Sequence, residues 1–193
     1  MEKTIYNPKF DNIAIVYGAP KTGKTRLAIN IARDIIAAGK DIIWINNEMQ
    51  PKKLAADIYK DFTLRDNIGN AFIFTVSEEW LEKENVVKYF DNIFKEGSVK
   101  KDNIALVIID TITFTDYDKC CTSYEKLLHY FKDTNIGILG VMQRPLELAI
   151  TMPLKDACHC YAIDSEGNTL YKDFKLIHFK DWSEFEDLFI EEK

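Results

Sequence analysis

Gly18-Ala19-Pro20-Lys21-Thr22-Gly23-Lys24-Thr25 follows directly on the apolar run Ile13-Ala14-Ile15-Val16-Tyr17. The octapeptide fits G-x-x-x-x-G-K-[ST], and a strand-length apolar run before it is the context that this spacing requires. Glycine at 18 and 23 lets the backbone wrap a polyphosphate with successive N–H groups turned inward, and a helix beginning near Gly23 adds the positive end of its dipole. In such a loop Lys24 reaches the β- and γ-phosphates and Thr25 offers its hydroxyl to Mg²⁺. Gly18 to Thr25, together with Arg26, is therefore the candidate nucleotide site, with Lys24 also a catalytic candidate and Mg²⁺ the expected metal. No guanine-specifying Asn-Lys-x-Asp occurs, which favours ATP.

Outward from this loop, strand-length apolar runs alternate with segments of helical period. A helix is predicted from Gly23 to Ala38, because Leu27, Ile31 and Ile35 recur on one face and Gly39 supplies a stop. Ile42–Ile45 reads as a strand and Pro51–Tyr59 as a helix with proline in its first turn. Ala71–Val76 is a further strand, followed by a predicted helix over Glu82–Phe94 that carries Val86, Val87, Phe90 and Phe94. Ile104–Ile109 is unbroken in its apolar character, as expected of a central parallel strand covered on both faces. A helix near Ser123–Lys132 and a strand over Gly137–Met142 complete the repetition. The expected fold class is α/β: a mostly parallel twisted sheet with helices on both faces.

The last forty residues differ in character. Ala157–Ile163 and Thr169–Phe179 are strand-like and joined across Asp164-Ser165-Glu166-Gly167-Asn168, so an antiparallel C-terminal hairpin is predicted at the sheet edge. Trp182–Ile190 reads as a short acidic amphipathic helix. No repeat, low-complexity tract or linker interrupts the chain, and 193 residues with 47% hydrophobic content suit one domain spanning 1–193.

A net charge of −6 removes the global basic field that drives non-specific nucleic-acid binding, though a local stripe would suffice for a specific contact. The first residues carry no signal-peptide pattern and no apolar run approaches bilayer length, so a soluble cytoplasmic protein without membrane partners is expected. Cys120-Cys121 and Cys158-His159-Cys160 lack the usual zinc spacing and read as core or half-buried thiols in a reducing compartment.

Nucleotide hydrolysis needs further groups. Asp110 ends the most hydrophobic strand at its carboxyl edge, where a carboxylate can hold Mg²⁺ as the acidic partner of Thr25. A base for the attacking water is also required. Thr111, not a glutamate, adjoins Asp110; Glu48 follows the strand at Ile42–Asn46 and is the candidate base, placed one strand away. Gln143 follows the strand Gly137–Met142, where an amide can hydrogen-bond the γ-phosphate or the attacking water.

In this order the elements resemble the RecA-type P-loop ATPase core, in the branch of the DnaB-like replicative helicases, RepA-like plasmid helicases and RadA/KaiC-like ATPases. Besides Gly18–Thr25, the resemblance is carried by Ile45-Asn46-Asn47-Glu48-Met49-Gln50-Pro51-Lys52-Lys53-Leu54 and by Val141-Met142-Gln143-Arg144. Where the helicases commonly have Ser-Gln-hydrophobic-Asn-Arg, Met142 replaces the serine and the asparagine is missing. The resemblance implies Lys24 and Thr25 on nucleotide and metal, Asp110 on metal, Glu48 as base and Gln143 as sensor. It also implies a homo-oligomeric ring or filament in which a neighbour completes each site. The helicases carry an additional amino-terminal domain, whereas the first strand here begins at Ile13, so a minimal core of viral or plasmid type is expected.

Arginine is scarce: Arg26, Arg33, Arg65 and Arg144 are all the chain has. A neighbour-supplied finger would be Arg144, Arg65, or a lysine such as Lys172, Lys175 or Lys180. In the resembling family two inner loops meet single-stranded DNA. The matching segments are Thr111–Lys119, where Phe114 and Tyr117 could stack on bases but Asp116 and Asp118 repel phosphates, and Arg144–Asp156, where Arg144 and Lys155 face Glu147 and Asp156 in the cation balance. The function so implied is an Mg²⁺-dependent ATPase working on single-stranded DNA in replication or recombination. The alternative is a slowly hydrolysing, nucleotide-gated module that docks onto a replication or recombination partner. A small-molecule kinase would need an arginine-rich lid that the chain does not offer.

Overall fold

The alternation of apolar runs and helical segments becomes, in the computed structural model, a parallel sheet with helices on each face. The structure describes residues 13–18, 21, 23–60, 62, 67–83, 85–112, 117–131, 133–143, 158–163, 169–172 and 175–178. Strand β1 (Ile13–Gly18) leads into helix α1 (Lys24–Ala37), β2 (Asp41–Asn46) into α2 (Pro51–Tyr59), and β3 (Ala71–Thr75) into α3 (Trp80–Lys83) and α4 (Val86–Lys95). A 3-10 turn at Lys101–Asn103 precedes β4 (Ile104–Ile112); α5 (Tyr117–Phe131) and β5 (Gly137–Gln143) follow. The strands lie in the order β3-β2-β4-β5-β1, every neighbour pair parallel. The backbone of β6 (Cys158–Ile163) runs parallel to β1 on its other side, with β7 (Thr169–Lys172) and β8 (Lys175–His178) next in the sheet. The expected turn over 164–168 and helix over 182–190 lie outside the described residues.

Strand alternation sorts the apolar side chains into two cores. Ile42 and Trp44 of β2, Leu106 and Ile108 of β4, and Leu139 and Val141 of β5 pack with Leu27, Ile31 and Ile35 of α1 and Leu54 and Ile58 of α2. Ile43, Ile45, Val107, Ile109, Ile138 and Met142 face the other way, toward α3, α4 and α5. A parallel strand covered on both faces reads as a near-continuous apolar run, and β2 and β4 are buried at every position. On the second face Phe90 of α4 is fully buried and meets Trp80 and Phe131 edge-on, with ring centroids 6.3 and 5.2 Å apart.

Helix α1 ends as its glycine predicts. Gly39 adopts φ 78°, its N–H donates to the Ile36 carbonyl at 2.9 Å, and the Lys40 N–H donates to the Ile35 carbonyl at 3.2 Å. This is the Schellman arrangement, which satisfies the last carbonyls of a helix.

Four expected boundaries are corrected. The single helix over 82–94 is two helices, because Asn85 takes an extended conformation and its side chain accepts from the Lys88 N–H at 3.1 Å, starting α4 afresh. Strand β4 continues past Ile109 to Ile112, so Asp110 lies inside the strand; Thr111 and Ile112 are each 2% exposed. Helix α5 begins at Tyr117 and not near Ser123, since the spacing of the buried Tyr124, Leu127 and Phe131 runs back through Cys120 and Tyr117 at the same period. Of the expected inner loop 111–119, residues 111–112 belong to β4 and 117–119 to α5, and 113–116 lie outside the described residues. The strand-like stretch 169–179 is divided between β7 and β8.

The cap at Asn85 gives a stability test. Asn85→Ala removes the side-chain acceptor and should cost about 1 kcal/mol, lowering the melting midpoint by about 2–4 °C in a chain of this size. An unchanged midpoint would show that the cap does not set the α3–α4 break.

Candidate functional site

Parallel strands joined by helices bring every carboxyl end to one edge of the sheet, and ligands of open α/β sheets bind there. In register, Gly18 pairs with Gln143 across β1 and β5, and Asn46 pairs with Asp110 across β2 and β4. The carboxyl ends of β1, β2, β4 and β5 therefore line up with the start of α1 above them.

Gly23 caps α1 with φ 95°, a left-handed conformation that a side chain would strain. The helix has no side-chain cap and no acidic residue in its first turn. Its leading N–H groups are thus not claimed by a carboxylate of that turn, as suits an anion-binding helix start. Lys24, at the first position of α1, is 5% exposed. Burial lowers its ammonium below the usual lysine value, while the negative charges of Glu48 and Asp110 act in the opposite direction. Lys21 is exposed with φ 68°, and Arg26 is exposed on α1. Ala19, Pro20 and Thr22 of the predicted loop lie outside the described residues.

Asp110 is the centre of the arrangement. It is 1% exposed, and both the Thr25 and Thr111 hydroxyls donate to its Oδ1, at 3.3 and 3.0 Å. Its Oδ2 is buried with no hydrogen-bond partner. Burial pushes the carboxyl up to about 6, and the charge of Glu48 adds to that; the Thr111 and Thr25 hydroxyls and Lys24 pull it back. A buried, unpaired carboxylate oxygen is costly, and a divalent cation is a natural counterpart for it. Magnesium is commonly held by one or two carboxylates together with substrate phosphates and water. The donor set Thr25 and Asp110 fits that requirement, and among the described residues no group of three or more His, Cys, Asp and Glu offers a self-sufficient cage.

Glu48 reaches the same place from β2. Asn46, fully buried, closes a turn there: its Nδ2 donates to the Met49 carbonyl at 2.7 Å and its Oδ1 accepts from the Met49 N–H at 3.1 Å. Asn47 then pairs with the end of β4. Its Nδ2 donates to the Thr111 carbonyl at 2.6 Å, its Oδ1 accepts from the Thr111 N–H at 2.8 Å, and its own N–H donates to the Asp110 carbonyl at 3.1 Å. Glu48 follows, and its Oε2 accepts from the Thr111 hydroxyl at 2.6 Å.

Lys24, Thr25, Asp110 and Glu48, named from the sequence, are therefore brought together. Gln143 is placed by its backbone at the end of β5, beside Gly18. Of the finger candidates, Arg65, Arg144 and Lys180 lie outside the described residues, and Lys172 and Lys175 sit by their backbone in β7 and β8. The sequence reading missed Asn46, Asn47 and Thr111 as site residues. Their signal was present as two asparagines directly after an apolar strand and a threonine directly after Asp110. No helix among the described residues is long and apolar enough to cross a membrane. Comparison with protein-family models and with curated proteins finds no match.

The raised Asp110 carboxyl predicts a pH dependence for the protein free of nucleotide and divalent cation. The folded state binds this proton more tightly than the unfolded chain, so the contribution is fully present below the ordinary value of 3.8 and is lost as pH rises through about 6. Asp110→Asn should remove that slope in urea-unfolding measurements and leave the cation-free protein more stable at pH 7.5, by a few kcal/mol. A variant no more stable than the parent at pH 7.5 would contradict the assigned cost of burying the charge.

Proposed function

We propose that the chain is a magnesium-dependent ATPase of the RecA type, with turnover coupled to single-stranded DNA in replication or recombination. One observation carries this reading: the Thr25 hydroxyl, directly after Lys24, meets the buried Asp110 carboxylate at 3.3 Å, and the Thr111 hydroxyl links that carboxylate to Glu48. The antiparallel hairpin expected at the C-terminal edge belongs to the same reading and is supported by the pairing of Ala162 with Tyr171 between β6 and β7.

Each residue has a role in that reaction. The N–H groups at the start of α1 and the Lys24 ammonium bind the phosphates; the negative charge of a triphosphate offsets the desolvation that lowers Lys24. Thr25 and Asp110 are the residues that would hold Mg²⁺, which when bound neutralises charge on the β- and γ-phosphates. Glu48 takes the proton of the attacking water. Gln143, at the end of β5, bonds the γ-phosphate or that water and so senses the nucleotide state. In a ring or filament a neighbour's cation, Arg144, Arg65 or a C-terminal lysine, would complete each site.

The net charge of −6 favours a second reading in which the same core turns over slowly and docks onto a replication or recombination partner. Hydrolysis assayed with and without single-stranded DNA separates the two. Stimulation by DNA supports the motor, a slow rate indifferent to DNA supports the module, and no hydrolysis in either condition removes the ATPase reading. Glu48→Gln should lower turnover by about 100-fold or more while leaving ATP binding nearly intact. Lys24→Ala should weaken both binding and turnover. Normal hydrolysis by Glu48→Gln would show that the base lies elsewhere.

A further inference from the structure

Thr111 stands where its single hydroxyl touches two carboxylates that belong to different strands. It lies 2.6 Å from Glu48 Oε2 and 3.0 Å from Asp110 Oδ1. The residue is 2% exposed and its main chain is fixed on both sides of the side chain, with the N–H donating to Asn47 Oδ1 at 2.8 Å and the carbonyl accepting from Asn47 Nδ2 at 2.6 Å. Glu48 is different: it is exposed, two residues beyond the end of β2, on a side chain with three rotatable bonds. Such a side chain has many rotamers, and each one that leads the carboxylate away from the nucleotide edge removes the base from the reacting water.

We propose that Thr111 is a positioning residue for the base: its hydroxyl, locked in place by the Asn47 side-chain amide, holds the Glu48 carboxylate at the nucleotide edge and in register with Asp110. This rests on the ATPase reading above and names how its base is oriented. A hydroxyl has one proton, so Thr111 donates it to one carboxylate at a time. The shorter contact is to Glu48. Engagement of Asp110 Oδ1 by the Thr25 hydroxyl at 3.3 Å gives that oxygen a donor other than Thr111, which lets the Thr111 proton remain on Glu48. A carboxylate has two oxygens and base catalysis uses one, so a hydrogen bond to Oε2 is compatible with proton abstraction. Asn47 is the third member of this device. By pairing with both the N–H and the carbonyl of Thr111 it replaces the backbone ladder that would otherwise continue from Asn46 and Asp110, and so transmits the rigidity of two buried strands to the side chain beyond them.

The test separates positioning from binding and from metal affinity. Thr111→Val keeps the size of the side chain and removes only the hydroxyl; its surroundings in the adjoining cleft include Ile45, Val76, Leu81 and Ile109, which a valine suits. This variant should lower kcat by about 10- to 100-fold with the affinity for a fluorescent ATP analogue unchanged, and Thr111→Ser should restore most of the rate. In the Glu48→Gln background, Thr111→Val should cause no further loss, since the group it orients is gone. A kcat for Thr111→Val equal to or above the parent's overturns the proposal. So does a loss that excess Mg²⁺ rescues, which would place the effect at Asp110, or a full additional loss in the Glu48→Gln background. If Thr111→Val does not fold, Thr111→Ala assayed beside Thr111→Ser gives the same comparison. Normal hydrolysis by Glu48→Gln would instead sink the base assignment of the proposed function, and the positioning role with it; an inactive Glu48→Gln beside a fully active Thr111→Val overturns this inference alone.

Discussion

Everything at the candidate site depends on β4 being dry along its whole length. Nine successive residues, Ile104–Ile112, are buried, and the strand carries Asp110 into that surrounding because the chain has no freedom to turn it outward. A carboxylate in such a place pays a desolvation cost that two hydroxyls reduce at Oδ1 but do not touch at Oδ2. Its raised pKa is the expression of that imbalance. The same burial that stabilises the sheet thus creates a group in search of positive charge, in direct contact through Thr25 with the start of a helix that has no acid in its own first turn. Fold and site are here one constraint viewed at two distances.

The starts of α1 and α2, the strand cores and four of the site residues were legible because each has a local signature. Periodicity gave α1 through its apolar face and Gly39; proline gave the first turn of α2; an unbroken apolar run gave β4. The motif spacing marked Lys24 and Thr25, and an acid directly after the most apolar run marked Asp110. Most of what escaped is decided by partners far away in sequence. Asp110 was read as a strand end because a charge normally ends a buried strand, yet the pairing of Ile112 with Met142 carries β4 on. Asn85 was read through as helix because its capping bond, though local, competes with a helical pattern that continues on either side. The strand order, with β4 and β5 between β2 and β1, is invisible to periodicity altogether.

Asn47 and Thr111 illustrate the point most sharply. Neither belongs to a motif with a fixed spacing, and they are 64 residues apart. Their meeting follows from register: once Asn46 is set against Asp110, the next residues on each strand face one another, and an asparagine amide is the side chain that can mimic a peptide group toward both an N–H and a carbonyl. Any pair unable to do this would leave buried polar groups of the β4 end unsatisfied, at a cost of about 1–3 kcal/mol each. The pairing therefore has a structural justification that is independent of catalysis, and the proposed orienting of Glu48 would require no additional burial.

The division of labour between the two strands also bears on why a glutamate need not adjoin Asp110. Two carboxylates on successive residues of one buried strand would have to share a single desolvated environment, and like charges so close raise each other's pKa. Here the second carboxylate comes from the exposed turn after β2, where solvent carries part of its charge, and it still raises Asp110 through space. Distance relieves the repulsion but loosens the geometry. In the proposed ATPase the Thr111 hydroxyl resolves that conflict: it restores a fixed position to Glu48 with a neutral group, donating its one proton to Glu48 while its oxygen lies 3.0 Å from Asp110 Oδ1. In that reading, an exposed carboxylate held beside a buried one through one rigid hydroxyl is a stable solution, because neither carboxylate has to be moved deeper into the protein to be held.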